Sequence, residues 1–219
     1  MAEINEQNEG RIRELEKFVM FTDTPGTPGK RSRLVWGILN GNPRISVFTN
    51  VPSDQQTRYG IIGAPMDPPT MLSMLRLLEK VARGQLEKFK MDCLSSPRDK
   101  DGKMGEIRKI SEVFAGRNAE GVVWLSVVDV DEKRPKIIFE FRLSKYHRFY
   151  KPDGTAFTDG EASQMVTIAT VDALKDVYQK LTTHFRVAGN APQAKEAPAQ
   201  STSSYSKPVT TGAFEDINF

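Results

Sequence analysis

The densest chemistry in the sequence is the run Lys145-Tyr146-His147-Arg148-Phe149-Tyr150-Lys151. A single nucleic-acid strand presents phosphates on one side and unstacked bases on the other. A site for it needs cations and flat aromatic faces side by side, and stacking contributes about 1–3 kcal/mol per base. Neighbouring Lys, Arg, Tyr and Phe residues on an extended segment meet that need. Three further places add cations. The loop 24–33 brings Lys30, Arg31 and Arg33 together without an intervening acid. Lys88 and Lys90 share the polar face of an alternating segment, and Arg108 and Lys109 open the next one. Core packing is the default for both Trp36 and Trp124; Trp36, beside the polar stretch 40–43, is expected to be the more exposed of the two and joins the candidate binding residues.

Catalytic chemistry is hard to find. Cys93 is the only cysteine, falls on the apolar side of its segment and has no histidine motif nearby; core packing explains it. His147 belongs to the basic-aromatic run, and His184 lies near the end of a helical pattern. The acids of 98–106 lack the offsets of a calcium loop. The acids of 129–132 and 153–161 read as turn chemistry. The stretch Thr24-Pro25-Gly26-Thr27-Pro28-Gly29-Lys30 lacks the Gly-Lys-Ser/Thr ending of a phosphate loop. The sequence is therefore read as that of a non-enzyme, with no cofactor and no metal.

These residues need a scaffold, and the pattern supplies one. Strands are expected over 17–23, 33–39, 44–50 and 59–64, with Asn40-Gly41 as a tight hairpin connection. Asp67 caps a helix over 70–84 whose apolar residues recur at helical spacing. A second series follows: strands over 85–94, 107–118, 120–130 and 135–144, then an apolar run at 165–169. Thr170 is expected to cap a helix carrying Val171, Leu174, Val177, Tyr178, Leu181 and Phe185 on one face. Strands then a helix, twice, is an α+β pattern: curved antiparallel sheets, each covered by one helix.

The chain has 219 residues and a net charge of +3. That length supports a core without disulfide or metal staples. No apolar run approaches the roughly 20 residues of a membrane span, and the first residues are charged and carry no secretory h-region. With one cysteine, a reducing cytoplasm is expected. Residues 1–10 are read as a flexible start and 11–186 as the folded body. Residues 187–211 are rich in Ala, Pro, Ser, Thr and Gln and are read as a disordered linker. The tip 212–219 then reverses the trend with Phe214, Glu215, Asp216, Ile217, Asn218 and Phe219. An apolar end with a free carboxylate suits capture by a pocket holding an Arg or Lys on a partner.

A basic strand-rich body, a polar linker and a short acidic tip ending in Phe resemble the replicative single-stranded DNA-binding proteins of bacteria and their phages. The resemblance implies DNA binding and protection in replication, recombination and repair, with the tail tip docking on partner enzymes in the host cytoplasm. Asn218 stands where that family's tip usually carries proline, and the acids are fewer. The order of elements in the body looks more like the Whirly and related coactivator-type single-strand binders. There, the sheets form one binding surface and the helices pack behind. An oligonucleotide-binding barrel with insertions is the alternative fold. A protein–protein adaptor and a single-strand-binding transcriptional regulator are the alternative functions.

Overall fold

Alternation of apolar and polar residues builds the sheets. In Arg31–Leu39, residues 34, 36 and 38 are buried while 31, 33 and 39 are exposed, as a half-buried strand requires. The computed structural model describes residues 13–39, 42–96 and 103–184. After a one-turn helix α1 (Arg13–Glu16), four strands follow: β1 (Met20–Asp23), β2 (Arg31–Leu39), β3 (Asn42–Phe48) and β4 (Ile61–Pro65). They form an antiparallel sheet in sequence order. Leu39 pairs with Asn42, the register of a two-residue connection; residues 40 and 41 themselves lie outside the described residues.

Helix α2 (Pro68–Ala82) begins as expected, with the Asp67 side chain accepting from the Thr70 amide at 2.7 Å and Pro in its first turn. It ends at Gly84, whose φ of +74° continues the chain in the left-handed region. There the Gln85 amide donates to Lys80 O and the Gly84 amide to Val81 O, the pair of hydrogen bonds that closes a helix on glycine.

The second sheet is also antiparallel and in sequence order: β5 (Lys88–Ser95), β6 (Arg108–Arg117), β7 (Val123–Asp129) and β8 (Phe139–Glu140). The strand expected over 135–144 keeps its alternation, with Ile137, Phe139 and Phe141 buried. Only Phe139 and Glu140 join the ladder. Pro135 has no amide to donate. The Ile137 carbonyl is taken instead by Ser126 Oγ at 2.7 Å.

Helix α3 (Asp159–His184) starts eleven residues before the expected Thr170 cap and absorbs the apolar run 165–169. Its start is a capping box: the Glu161 amide donates to Thr158 Oγ1 at 3.2 Å, and the Thr158 amide donates to Glu161 Oε2 at 2.9 Å. Val171, Leu174 and Tyr178 are buried on the expected stripe. The side chains of Leu181 and Phe185 lie outside those described, as do the segments 1–10, 187–211 and 212–219.

Both helices pack on the inner side. Helix α2 touches β3 and β6, α3 touches β7, and the two helices lie against each other, joined by Lys175 Nζ to Glu79 at 2.5 Å. One apolar cluster takes in the inner faces of both sheets and both helices. The edge strands β1 and β8 approach each other, and edge strand β4 lies against the central strands β6 and β7, yet each sheet keeps its own ladder. The body is thus α+β with two open four-stranded sheets, and the barrel alternative is set aside. Replacing Thr158 with Ala should cost about 0.5–2 kcal/mol of unfolding free energy. It would be read as a lower urea midpoint at unchanged slope; an unmoved midpoint would show that the box does not hold α3.

Candidate nucleic-acid interface

With the helices behind, the outward faces of the sheets are free to hold a ligand. On the first sheet the registers align Phe21 with Arg33, Arg33 with Phe48 and Phe48 with Ile61. This row crosses all four strands. The Arg33 guanidinium carbon lies 4.1 Å from the Phe48 ring centroid, a stacked cation–π pair. Phe21 is 59% exposed. Arg31 flanks the row one pleat away, and Lys30 is exposed in the turn before it. Among the described residues no carboxylate lies within 4.0 Å of Lys30, Arg31, Arg33 or Arg44.

Trp36 is a correction. It is 1% exposed and sits in the core. Residues 33 and 36 differ by an odd number, so on one strand they face opposite ways. Arg33 outward therefore requires Trp36 inward. Arg44 and Phe48, which share the outward face, were legible from the same alternation in Arg44-Ile45-Ser46-Val47-Phe48 but were not picked out.

On the second sheet Lys90 and Lys109 are engaged by carboxylates. Glu112 takes Lys90 at 2.7 Å and Lys109 at 2.6 Å, and Asp92 takes Lys90 at 3.4 Å. Hydrogen bonds from Lys109 and then Lys90 hold the Glu112 carboxyl down to about 2. Lys90 also stands 5.8 Å over the Phe114 ring. Lys88 and Arg108 are exposed at opposite ends of β5–β6 pairing, beside Gly116 and Ser95. Gly116 has a purpose here: a Cβ would strike the Trp124 ring at 2.9 Å, so the half-buried indole lies flat across the strand.

The segment 145–151 follows β8 as a turn and then one arm of a small hairpin, with Tyr150 bridged to Ala156. Tyr146 is 79% exposed, Phe149 47% and Tyr150 60%; the aromatics stand in solvent. Lys145 lies 5.1 Å over Tyr146. Lys151 is bound to Glu161 at 2.8 Å and covers Phe157. His147 and Arg148 are exposed, and no acid pairs with Arg148 among the described residues.

One exposed aromatic could not be found from sequence. Between β3 and β4, Arg58, Tyr59 and Gly60 have φ of +48°, +56° and +66°. Such a conformation costs about 1–3 kcal/mol at each non-glycine residue, and Tyr59 is 86% exposed for it. A buried arginine from the second half holds this loop. The Arg134 Nε and Nη2 bind both Asp54 oxygens at 2.8 and 2.9 Å, and Nη2 also reaches Thr57 O at 3.4 Å. Its Nη1 binds Asp129 at 2.8 Å and Ile61 O at 3.1 Å. Burial works against the Asp54 charge, but Arg134 and Thr49 outweigh it and leave the carboxyl below its usual range. Hydrogen bonding to Asp54, opposed by burial, raises Arg134.

Cys93 is buried, and burial pushes its thiol up. Among the described residues, no three of His, Cys, Asp or Glu gather closely enough to hold a metal. No helix among them is long and apolar enough to cross a membrane. No family model, curated protein or solved structure matches this chain.

Removing Arg134 leaves buried Asp54 with no cation, only the Thr49 hydroxyl, and leaves Asp129 with only the looser Arg58 at 3.6 Å. Arg134→Leu should therefore cost about 3–5 kcal/mol in a urea titration. The folded Asp54 pKa lies below the unfolded one, so the contribution of this carboxyl is complete above the unfolded value near 3.9 and fades as pH falls through the folded one. The variant should lose that part of the acid dependence; an unchanged pH profile would contradict the role given to the Asp54–Arg134 pair.

Proposed function

We propose that the chain is a non-catalytic binding protein for single-stranded DNA, acting in replication, recombination and repair. The observation that carries this reading is the Phe21–Arg33–Phe48 row on an outward sheet face, flanked by Arg31 and Arg44, which have no carboxylate within 4.0 Å among the described residues; Asp23 stands opposite Arg31 in the register without pairing at that distance. Phosphates would meet Arg31 and Arg33 while bases stack on Phe21 and Phe48. Tyr59 and the 145–151 segment offer further aromatic faces and the cations Lys145 and Arg148. Binding of this kind tolerates any sequence, because every base has a π-face, and weakens with salt as phosphate counterions are released. A phage-encoded protein of this class would work in the host cytoplasm. The tip 212–219 would recruit partner proteins through the apolar residues Ile217 and Phe219.

Mixed-sequence single strands should bind at low salt in a mobility-shift titration, and absence of binding would sink the reading. The Arg33→Leu, Phe48→Leu double variant should weaken binding by roughly tenfold or more, given about 1–3 kcal/mol per stacked base. Lys90→Gln, whose charge is already engaged, should change it little. Substituting Lys145, Arg148 and Lys151 together should also weaken binding; no effect on DNA, with partner capture intact, favours the adaptor alternative. Marked sequence preference favours a transcriptional regulator instead.

Deleting 212–219 should leave DNA affinity equal or higher and abolish capture of replication proteins on an affinity column. Retained capture would refute the recruiting tip.

A further inference from the structure

Where the two sheets meet, an open cleft of about 350 Å³ is lined by Arg44, Ile61, Gly63 and Pro65 of the first sheet, Arg58 of the left-handed loop, and Ser95 and Ile110 of the second sheet. Ser111 Oγ ties the sheets beneath it by donating to Gly63 O at 2.8 Å. The volume falls at the lower end of ligand sites, roughly 300–1,000 Å³.

Arg44 is unusual in this setting. Its guanidinium lies directly on Gly63, where any Cβ would overlap it. Its Nε is buried and has no hydrogen-bond partner, and no carboxylate pairs with it among the described residues. Desolvation lowers its pKa. A guanidinium keeps its charge even so; Arg44 is half-buried, with only its Nε covered, so its terminal nitrogens still border the cleft. Arg58, on the cleft wall, is 63% exposed along its side chain and only loosely shared with Asp129 at 3.6 Å. Two guanidiniums lining one open cleft, neither held closely by a carboxylate, fit an oxyanion that accepts N–H donors. The remaining walls, Ile61, Pro65 and Ile110, suit an anion carrying apolar neighbours, as a phosphate in a sugar–phosphate chain does.

We infer that this cleft seats one backbone phosphodiester of a bound single strand, held between Arg44 and Arg58 at the seam of the two sheets. The inference rests on the strand-binding reading above and adds the point at which the strand crosses from one sheet to the other. Gly63 is then a positioning residue, kept small so that Arg44 can lie flat.

The test is the salt dependence of oligo(dT) binding to the full-length chain. One lost phosphate contact reduces the slope of log affinity against log salt by about 0.7. The Arg44→Met, Arg58→Asn double variant should show that reduction and each single variant part of it; asparagine tolerates the left-handed backbone at 58. Arg44→Lys should keep the slope. Gly63→Ala retains both charges and should still weaken binding several-fold. A wild-type slope in the double variant would overturn the cleft while leaving strand binding in place. If the wild-type chain binds no oligo(dT), the strand reading fails, and pyrophosphate then decides the cleft alone. Shifts of the Arg44 Nε–H and the Gly63 and Ile110 amide resonances would support an anion seat, and unmoved resonances would overturn it.

Discussion

Arg134 holds the two halves of the body in one arrangement. Its guanidinium has five N–H donors in a fixed fork, and the structure uses them on Asp54, Asp129 and the carbonyls of Thr57 and Ile61. Asp54 and Thr57 belong to the loop between β3 and β4, Ile61 begins β4, and Asp129 ends β7. One side chain therefore fixes the loop, the adjoining strand and the second sheet together. The left-handed turn at Arg58 and Tyr59 is tolerable because that anchor over-determines it, and Thr49 secures Asp54 from the other side at 2.7 Å.

Charge is divided accordingly. Lys90, Lys109, Lys151 and Arg142 are each held by a carboxylate, whereas Arg31, Arg33 and Arg44 have none among the described residues. The net charge of +3 conceals this separation. What matters for an anionic ligand is which cations stay available: Arg31, Arg33 and Arg44 on the first sheet, and Lys88 and Arg108 at the ends of the β5–β6 pair on the second.

Much of the scaffold was legible because local rules and tertiary packing agree. Asp67 followed by two prolines marks the start of α2, and period-two alternation marks β2, β3, β5 and β6. The misses have physical causes. The Thr158–Glu161 box is a readable signal, but Gly160 inside it suggested a turn and moved the expected start of α3 to Thr170. The 135–144 stretch alternates like a full strand, yet only Phe139 and Glu140 pair in the ladder, since Pro135 has no amide and the Ile137 carbonyl accepts from Ser126 Oγ. Arg134 lies in the polar turn 131–134 and gives no local sign of burial, since its partners are up to 80 positions away. The candidate interface is legible in part: the basic run with Arg31 and Arg33 stands out by composition, while parity turns Trp36 inward and Arg44 and Phe48 outward.

The inward turn of Trp36 has an optical consequence. The chain has two tryptophans, and they occupy opposite environments. Trp36 is sealed in the shared core, its indole nitrogen without a partner, while Trp124 lies half-buried across Gly116 on an outward face. The native chain thus has two separate intrinsic chromophores: one whose emission colour follows the integrity of the interior, and one whose quenching follows what touches the second sheet.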